Sequence, residues 1–403
     1  MKNLRQIPRS VWALGFVSMF MDISSEMFHS LLLVFLVSIL GVSTAAIGLL
    51  EGVAEATVNL VKIFSGALSD RMGRRKPLTV AGYGIAALTK PLFPIATSFG
   101  IVSLARVVDR IGKGIRGAPR DALVADLAPR NIRGASYGLR QSLDTVGAFI
   151  GPLVAIGLMV AFRGNFRTVF WIAVVPAFVS LALLVLSVHE PNASIKRNNS
   201  RSRFHWAELR HFSRKFWIVV AVGAVFTLAR FSEAFLILRA SGLGLTNEYV
   251  PAVLVVMNLA YAASSYPAGY LSDRVDRRLI LAVGGILLMI ADIVLARATN
   301  IAGLVAGISL WGLHMGFSQG MLAAMVADAS VSQLRGTAFG LFSLISGVAL
   351  LFASSIAGVL WSRVGPQATF YAGASFAGLA ALMLLLQLRG FRGRGSSSGT
   401  AHS

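Results

Sequence analysis

Two stretches with the same pattern, GALSDRMGRR at residues 66–75 and GYLSDRVDRR at residues 269–278, decide the fold. They lie 203 residues apart, and a second matching pair, LVADLAPRNIRGASYG at 123–138 and MVADASVSQLRGTAFG at 325–340, lies 202 residues apart. These offsets exceed the roughly 20–50 residues of solenoid repeats. The chain therefore contains two similar halves, and we expect each half to form one helical bundle.

The composition predicts a membrane protein without a sizeable soluble domain. Of the 403 residues, 56% are hydrophobic and 13% are charged, and the mean hydropathy is +0.72. Soluble domains carry about 25% charged residues, and a helix needs about 20 apolar residues to cross a bilayer. Twelve such helices would account for nearly the whole chain. The chain contains no cysteine, which excludes disulfides and thiolate metal sites.

The apolar runs predict twelve membrane spans, separated by short polar breaks. The spans cover residues 11–40, 44–69, 78–98, 99–118, 135–162, 165–188, 216–240, 247–271, 279–297, 300–325, 335–361 and 366–388. We expect an N-terminal bundle at 1–188, a cytoplasmic linker at 189–215 and a C-terminal bundle at 216–388. The Gly/Ser/Arg-rich tail at 389–403 is expected to be disordered and cytoplasmic.

The basic residues predict the orientation of the chain in the membrane. If the N-terminus is inside, 26 of the 37 Lys and Arg fall on cytoplasmic segments. This asymmetry follows the positive-inside rule, and it explains the net charge of +20 better than nucleic-acid binding does. The basic start MKNLRQIPRS lacks a signal-peptide cleavage site and predicts a cytoplasmic tail before a retained helix. We expect both termini inside a bacterial inner membrane.

In the first half, the repeated segments lie between spans 2 and 3 and between spans 4 and 5. In the second half, they lie between spans 8 and 9 and between spans 10 and 11. All four are on the cytoplasmic side. The repeats are therefore parallel. The predicted fold class is an all-α membrane protein with twelve transmembrane helices in two six-helix bundles, related by a pseudo-two-fold axis along the membrane normal.

The loop after span 2 resembles the signature of the major facilitator superfamily, and the resemblance covers residues 5–390. The first copy has the full pattern, while the second has Asp276 in place of Gly73. Span 5 carries Gly147, Gly151 and Pro152, which is similar to a motif of drug/proton antiporter-type bacterial permeases. The matching residues are Gly66, Asp70, Arg71, Gly73, Arg74 and Arg75 in the first copy, Gly269, Asp273, Arg274, Arg277 and Arg278 in the second, and Arg110 with Gly114 in span 4.

The resemblance implies that the two signature loops act as cytoplasmic gating latches. By resemblance, Asp70 faces the N-terminus of span 11, where the helix dipole favours a carboxylate. Arg74 is expected to pair with Asp126. The second loop offers the reciprocal contacts through Asp273, Arg274, Arg277 and Asp328. The motif Gly147, Gly151 and Pro152 is expected to allow close helix approach and a local bend.

Ionisable residues within predicted spans are costly and are therefore candidates for coupling or substrate binding. Asp22, Glu26 and His29 share one face of span 1, and Glu51 and Glu55 share one face of span 2 with Asn59 and Lys62. Further candidates are Arg106, Asp109, Arg110 and Lys113 in span 4 and Arg140 and Asp144 in span 5. The second half offers fewer such residues, namely Arg230, Glu233, Asp292 and His314.

The sequence predicts a secondary active transporter, with proton-coupled efflux of a small organic compound as the first hypothesis. A divalent-metal exporter is an alternative, because carboxylates and an imidazole suit nickel, cobalt or iron. A transporter of an anionic metabolite, using Arg106, Arg110 and Arg140 as counter-charges, is another. No hydrolase spacing such as HExxH indicates an enzyme. We expect a monomer whose partners are its substrate, protons and the lipid bilayer, with no cofactor.

Overall fold

A computed structural model describes residues 7–72, 74–129, 133–189, 212–272, 274–330 and 335–395. The described residues form helices joined by short connections, and no strand occurs among them. Gly73, Asp273, most of the predicted linker and the last residues of the predicted tail lie outside the described residues. The side chains of Asp70 and Arg71 also lie outside the described part of the structure.

Fourteen helices account for the twelve predicted spans within the described residues. In the first half they are α1 (Arg9–Ser38), α2 (Thr44–Met72), α3 (Lys76–Thr89), α4 (Leu92–Ile95), α5 (Phe99–Leu127), α6 (Arg133–Ala161) and α7 (Phe166–Ser187). In the second half they are α8 (Arg214–Ala229), α9 (Ala234–Gly242), α10 (Ala252–Ser272), α11 (Arg277–Arg297), α12 (Ile301–Ala329), α13 (Arg335–Arg363) and α14 (Pro366–Gly395). The last helix thus extends past its predicted end at residue 388.

Two predicted spans are interrupted, and both interruptions have a local cause. Span 3 divides into α3 and α4 around Pro91, which has no backbone N–H to continue the helical ladder. Span 7 divides into α8 and α9 at Arg230–Glu233. There the hydroxyl of Ser232 accepts a hydrogen bond from the backbone N–H of Ala234 at 3.3 Å, which stabilises a new helix start.

The chain forms two compact units whose boundaries differ from the predicted bundles at two short segments. The first unit contains Met1–Ser43, Val53–Arg203 and Gly244–Val255, and the second contains Thr44–Gly52, Phe204–Leu243 and Val256–Ser403. The start of α2 therefore packs with the second unit. A methyl group added to Gly52 would lie 2.9 Å from the carbonyl oxygen of Leu351 on α13, which shows how closely the two helices approach.

The two units repeat the same helix neighbours. In the first, α1 packs against α6 and α7, and α3 packs against α5 and α7. In the second, α8 packs against α13 and α14, and α11 packs against α12 and α14. These are the same positions in the two predicted repeats. The internal sequence repeat is therefore also a repeat of packing.

Nine of the described helical stretches are long and apolar enough to cross a membrane. The helices α2, α5 and α10 are not among them. The first two carry the charged residues of predicted spans 2 and 4, and the apolar part of α10, Ala252–Ser265, is shorter. The charged residues of α2 and α5 are therefore candidates for function, because ionisable groups within membrane spans are costly.

Candidate functional site

The candidate site lies in the first unit, where α6 approaches α1 at two glycines. A methyl group added to Gly147 would lie 2.5 Å from the carbonyl oxygen of Met19 and 3.2 Å from Cβ of Asp22. A methyl group added to Gly151 would lie 2.8 Å from Cβ of Glu26. Only glycine leaves room for this approach. The motif therefore places both acids of α1 directly against the backbone of α6.

The third residue of the motif, Pro152, is buried inside α6, and the helix continues through it to Ala161. Close approach at the glycines is thus the contribution of the motif that the contacts show.

Asp144, one turn before Gly147 on α6, is held by two arginines. Arg140 Nη1 donates to Asp144 Oδ2 at 3.1 Å, and Arg120 Nη1 lies 3.9 Å from Asp144 Oδ1. Asp121 completes the cluster, since its Oδ1 accepts from Arg120 Nε at 3.3 Å and lies 3.9 Å from Arg140 Nε. Positive and negative groups therefore alternate between α5 and α6.

The carboxyl group of Asp22 lies within hydrogen-bonding reach of the carboxyl group of Asp144. Two ionised carboxylates have no hydrogen to donate and repel each other, so such a contact needs one proton. Arg120 and Arg140, which lie next to Asp144, are shared with Asp121. The α1–α6 contact therefore places two carboxyl groups side by side next to a cluster of arginines.

His29 of span 1 and Glu55 of span 2 contact arginines of α5. Arg106 Nη2 lies 2.9 Å from Nδ1 of His29. A guanidinium group only donates, so Nδ1 accepts and the ring proton lies on Nε2. Arg110 Nη2 forms an ion pair with Glu55 Oε1 at 3.2 Å. The predicted faces of spans 1 and 2 are thus both joined to α5.

A buried ion pair that the sequence analysis missed links α3 to α5. Lys90 Nζ lies 3.2 Å from Asp109 Oδ1, and the two residues are only 2% and 4% exposed. Lys90 Nζ also donates to Ser25 Oγ at 3.2 Å and lies 5.0 Å from the ring centroid of Phe28. A lysine within an apolar span was the signal that could have found it.

Two more missed cations lie on α5. Arg116 is 4% exposed, and its guanidinium lies over the ring of Tyr83 at 4.5 Å. Arg120 Nη1 donates to Ser18 Oγ at 3.1 Å, and that hydroxyl lies 3.2 Å from the hydroxyl of Tyr83. These contacts extend the charged network from α6 to α1 and α3.

Glu51, which was predicted to share a face with Glu55, packs in a different place. It lies in the segment of α2 that packs with the second unit and is 1% exposed. Its Oε2 is 3.5 Å from Oγ of Ser232, at the break between α8 and α9. The boundary between the two units crosses α2 between Glu51 and Glu55.

In the first signature loop, the ion pair with Asp126 is made by the residue next to the predicted one. Arg75 Nε, not Arg74, lies 3.5 Å from Asp126 Oδ2, and Arg75 Nη1 donates to Ser69 Oγ at 2.8 Å. Arg74 is exposed. A methyl group added to Gly66 would lie 3.3 Å from Cβ of Ala118 on α5, so α2 also packs closely there.

In the second signature loop, Arg277 forms an ion pair with Asp328, as the sequence predicted. Asp276 departs from the motif because it caps α11, accepting a hydrogen bond from the N–H of Arg278 at 2.9 Å. Arg274 is exposed, and its backbone N–H donates to the carbonyl of Leu271. Asp273 lies outside the described residues.

Within the described ranges, no three His, Asp or Glu side chains converge in a way that could hold a metal ion. Two of the residues that suggested a divalent-metal exporter have separate arginine partners instead, His29 with Arg106 and Glu55 with Arg110.

The sequence comparisons identify the family. The family model of the Major Facilitator Superfamily matches residues 14–257 and 231–401. The chain belongs to the Major Facilitator Superfamily. It is a multi-pass membrane transporter.

Individual proteins resemble this superfamily member over nearly its whole length. An uncharacterized MFS-type transporter, MJ1317 of Methanocaldococcus jannaschii, is 32% identical over 390 residues, which cover 95% of this chain and 96% of that protein. A probable 4-methylmuconolactone transporter of Cupriavidus pinatubonensis is 27% identical and covers 90% of this chain and 87% of its own. The crystal structure of a POT family transporter in complex with a thioalcohol-conjugated peptide shares the fold with a TM-score of 0.78 at 12% identity, covering 95% of this chain and 98% of its own.

Proposed function

We propose that this transporter is a proton-coupled antiporter that exports a small organic compound, and that Asp22, Glu26 and Asp144 form its proton-binding site. The observation that carries the proposal is the close contact of α6 with α1 at Gly147 and Gly151, which brings Asp22 to Asp144. A membrane carboxyl that exchanges a proton must be neutral in one state and charged in another. In the proposed neutral state, Asp22 shares a proton with Asp144, and in the charged state both carboxyl groups are ionised.

The coupling step follows from electrostatics. With a proton on Asp22, the carboxyl pair is hydrogen-bonded and the two helices pack at the glycines. When that proton leaves, two like charges face each other in a poorly solvated place, where their repulsion is much stronger than in water. The helices then separate, or a cation such as Arg120 moves towards Asp22. Either change alters the packing of α1, and a change in packing can bias an alternating-access cycle.

A small organic compound is proposed as the substrate on two grounds. The glycine and proline motif of span 5 resembles that of drug/proton antiporters, and a relative similar over most of the chain is a probable 4-methylmuconolactone transporter. The metal-exporter alternative finds no converging ligand set among the described side chains.

An anionic metabolite is the second candidate, because the fully buried charges of the first unit are mostly cationic. Lys90, Arg106, Arg110, Arg116 and Arg140 are all less than 9% exposed, whereas Asp109 is the acid of the described first unit that is equally buried. An excess of buried guanidinium groups suits a carboxylate or phosphate.

A resistance and transport screen separates these candidates. Cells expressing the wild type or Asp22→Asn are challenged with antibiotics, cationic dyes, organic acids and nickel or cobalt salts. We expect protection against an organic compound that is lost in Asp22→Asn. Protection against the metal salts alone would contradict the proposal, and protection by Asp22→Asn equal to the wild type would remove Asp22 from it.

We also propose that the two signature loops are gating latches, with Arg75 and Asp126 as one pair and Arg277 and Asp328 as the other. These pairs are partly exposed, so their contribution to stability is small. Their expected effect is on the transport cycle. Arg75→Asp should slow transport, and Arg75→Asp combined with Asp126→Arg should restore it. Arg74→Asp is the matched control, and an equal loss in that variant would argue against the assigned pair.

A further inference from the structure

A group of buried polar side chains in the second unit takes no part in the site described above. Asp292 on α11 and His314 and Trp311 on α12 are completely buried. Both carboxyl oxygens of Asp292, both ring nitrogens of His314 and Nε1 of Trp311 have no hydrogen-bond partner within the described part of the chain. Buried polar atoms nearly always have partners. Three neighbouring exceptions therefore call for an explanation.

The packing of α11 on α12 brings these residues together. A methyl group added to Gly307 would lie 2.6 Å from the side chain of Leu295, and one added to Gly284 would lie 3.3 Å from Cβ of Phe317. These two contacts fix an antiparallel register that places Asp292 level with residues 309–310, beside Trp311. The rings of Trp311 and His314 lie 5.3 Å apart.

The break in span 7 lies next to this group. Phe231, within the break between α8 and α9, lies 5.3 Å from the ring of Trp311. A methyl group added to Gly373 on α14 would meet both Asp292 Oδ2, at 2.5 Å, and the ring of Phe231, at 2.8 Å. In transporters, discontinuous helices commonly line substrate and coupling-ion sites. The break is thus an independent indication that this place binds something.

The size of the neighbouring space limits what can bind there. The cavity lined by Phe231, Thr369 and Gly373 has a volume of about 10 Å³, at the lower limit for one water molecule. Asp292 does not line that cavity and is itself completely buried, so a ligand larger than a proton would need the helices to separate. Among the described residues, no three potential metal ligands converge to hold a metal ion. A proton needs no space and would remove the large cost of an unpaired buried charge.

If Asp292 were ionised, none of the described groups that face it would balance its negative charge. From α12, His314 and Trp311 face this region, and Arg230 at the helix break acts electrostatically on His314. From α14, the contact is Gly373. Further along α11, Arg297 Nε donates to the hydroxyl of Tyr371 at 3.5 Å.

We propose that Asp292 is a second proton-binding carboxyl, loaded and unloaded as the transporter cycles. The step is the reversible addition of one proton to the carboxylate, which gives a neutral acid. The proposal extends the proposed proton coupling to the second unit, and it rests on that coupling only for the identity of the ion.

A hydrophobic carbodiimide, dicyclohexylcarbodiimide, tests the proposal without a known substrate. It reacts with buried carboxyl groups in their protonated form and leaves a stable N-acylurea that peptide mass spectrometry locates. We expect a modified Asp292 peptide near about pH 6 and at least a roughly tenfold loss of that labelling near about pH 9, a range that spans the usual titration of exchangeable protein groups. Asp276, which is exposed at the start of α11, serves as the internal control and should remain unlabelled.

The outcomes separate this inference from the proposed function. Labelling of Asp292 should be the same in Asp22→Asn as in the wild type, and it should be absent in Asp292→Asn. No labelling at any pH, or equal labelling across the range, would overturn the proposal, since a permanent proton cannot be exchanged. If Asp22→Asn transports normally while Asp292 titrates, the site in the first unit fails and this inference stands.

A second variant tests the position of the carboxyl. Gly373→Ala adds a methyl 2.5 Å from Asp292 Oδ2 and should reduce labelling several-fold. Gly378→Ala is the matched control on the same helix, because its methyl would meet only the sulfur of Met289 at 3.2 Å. Equal labelling in the two variants would contradict the placement of Asp292 beside Gly373.

Discussion

At the scale of single residues, the pair of Lys90 with Asp109 sets the electrostatic framework of the first unit. Both residues are almost completely buried, and the lysine has a hydroxyl and an aromatic ring as further partners. Removing two charges from water is costly, and their mutual attraction offsets that cost only when the geometry is good. The pair is therefore more important as a matched unit than as a net source of stability.

Breaking this pair should be much worse than removing it. Lys90→Met leaves Asp109 buried without its cation, and we expect a loss of about 3–5 kcal/mol in stability, seen as a lower melting temperature in detergent. Lys90→Met combined with Asp109→Leu should recover most of that loss. A single variant that melts like the wild type would show that the pair is not buried as described.

The residues of the site could be predicted from the sequence only where the signal lies along one helix. The spacing of Asp22 and Glu26 predicted that they share a face, but it did not show that this face packs against α6. Lys90 was missed because its partner lies on another helix, and periodicity within a span does not show contacts between spans. For the same reason, the sequence analysis expected Arg74 to pair with Asp126, whereas Arg75 makes that contact.

At the scale of elements, the approach of α6 to α1 determines the geometry of the proposed coupling site. Two glycines four residues apart meet two acids four residues apart. The two helices can approach this closely because glycine has no Cβ atom. Any larger residue at 147 or 151 would push α6 away from α1. The span boundaries were predicted well because apolar runs determine them, whereas the break at Arg230–Glu233 depends on contacts of Ser232.

Gly151→Ala should disturb this contact specifically. Its methyl would lie 2.8 Å from both Cβ of Glu26 and the carbonyl oxygen of Ile23, and we expect a destabilisation of about 1–3 kcal/mol from overpacking, with loss of transport. Gly157→Ala on the same helix is the control, because its methyl would meet no atom within 4 Å. Normal transport by Gly151→Ala would contradict the account of the α1–α6 contact.

At the scale of the whole molecule, the repeat in sequence is matched by a repeat of helix neighbours, but the two units differ in their buried charge. The first unit carries ion pairs that join the end of α3 to α5 and α5 to α6, and hydrogen bonds join α5 to α1. The second contains isolated buried polar groups around Asp292. Duplication of the fold therefore did not preserve a duplicated site.

The orientation proposed from the basic residues, with both termini in the cytoplasm, can be tested directly because the chain has no cysteine. Arg214→Cys and Thr246→Cys introduce single thiols at exposed positions on either side of α8 and α9. In intact cells, a membrane-impermeant maleimide should label the cysteine at 246 and should leave the one at 214 unlabelled until the cells are opened. The reverse pattern would invert the proposed topology.

The central claim is that proton exchange occurs at Asp22 against Asp144, and one comparison in proteoliposomes tests it most directly. Proton movement driven by a compound from the resistance screen is measured with an entrapped pH dye, alongside counterflow exchange of the same compound, which needs no net proton transfer. Asp276→Asn, which keeps a side chain able to cap α11, serves as the control. We predict that Asp22→Asn loses proton movement at least about tenfold while counterflow persists, because an amide cannot exchange a proton. Proton movement in Asp22→Asn at the wild-type rate would contradict the account.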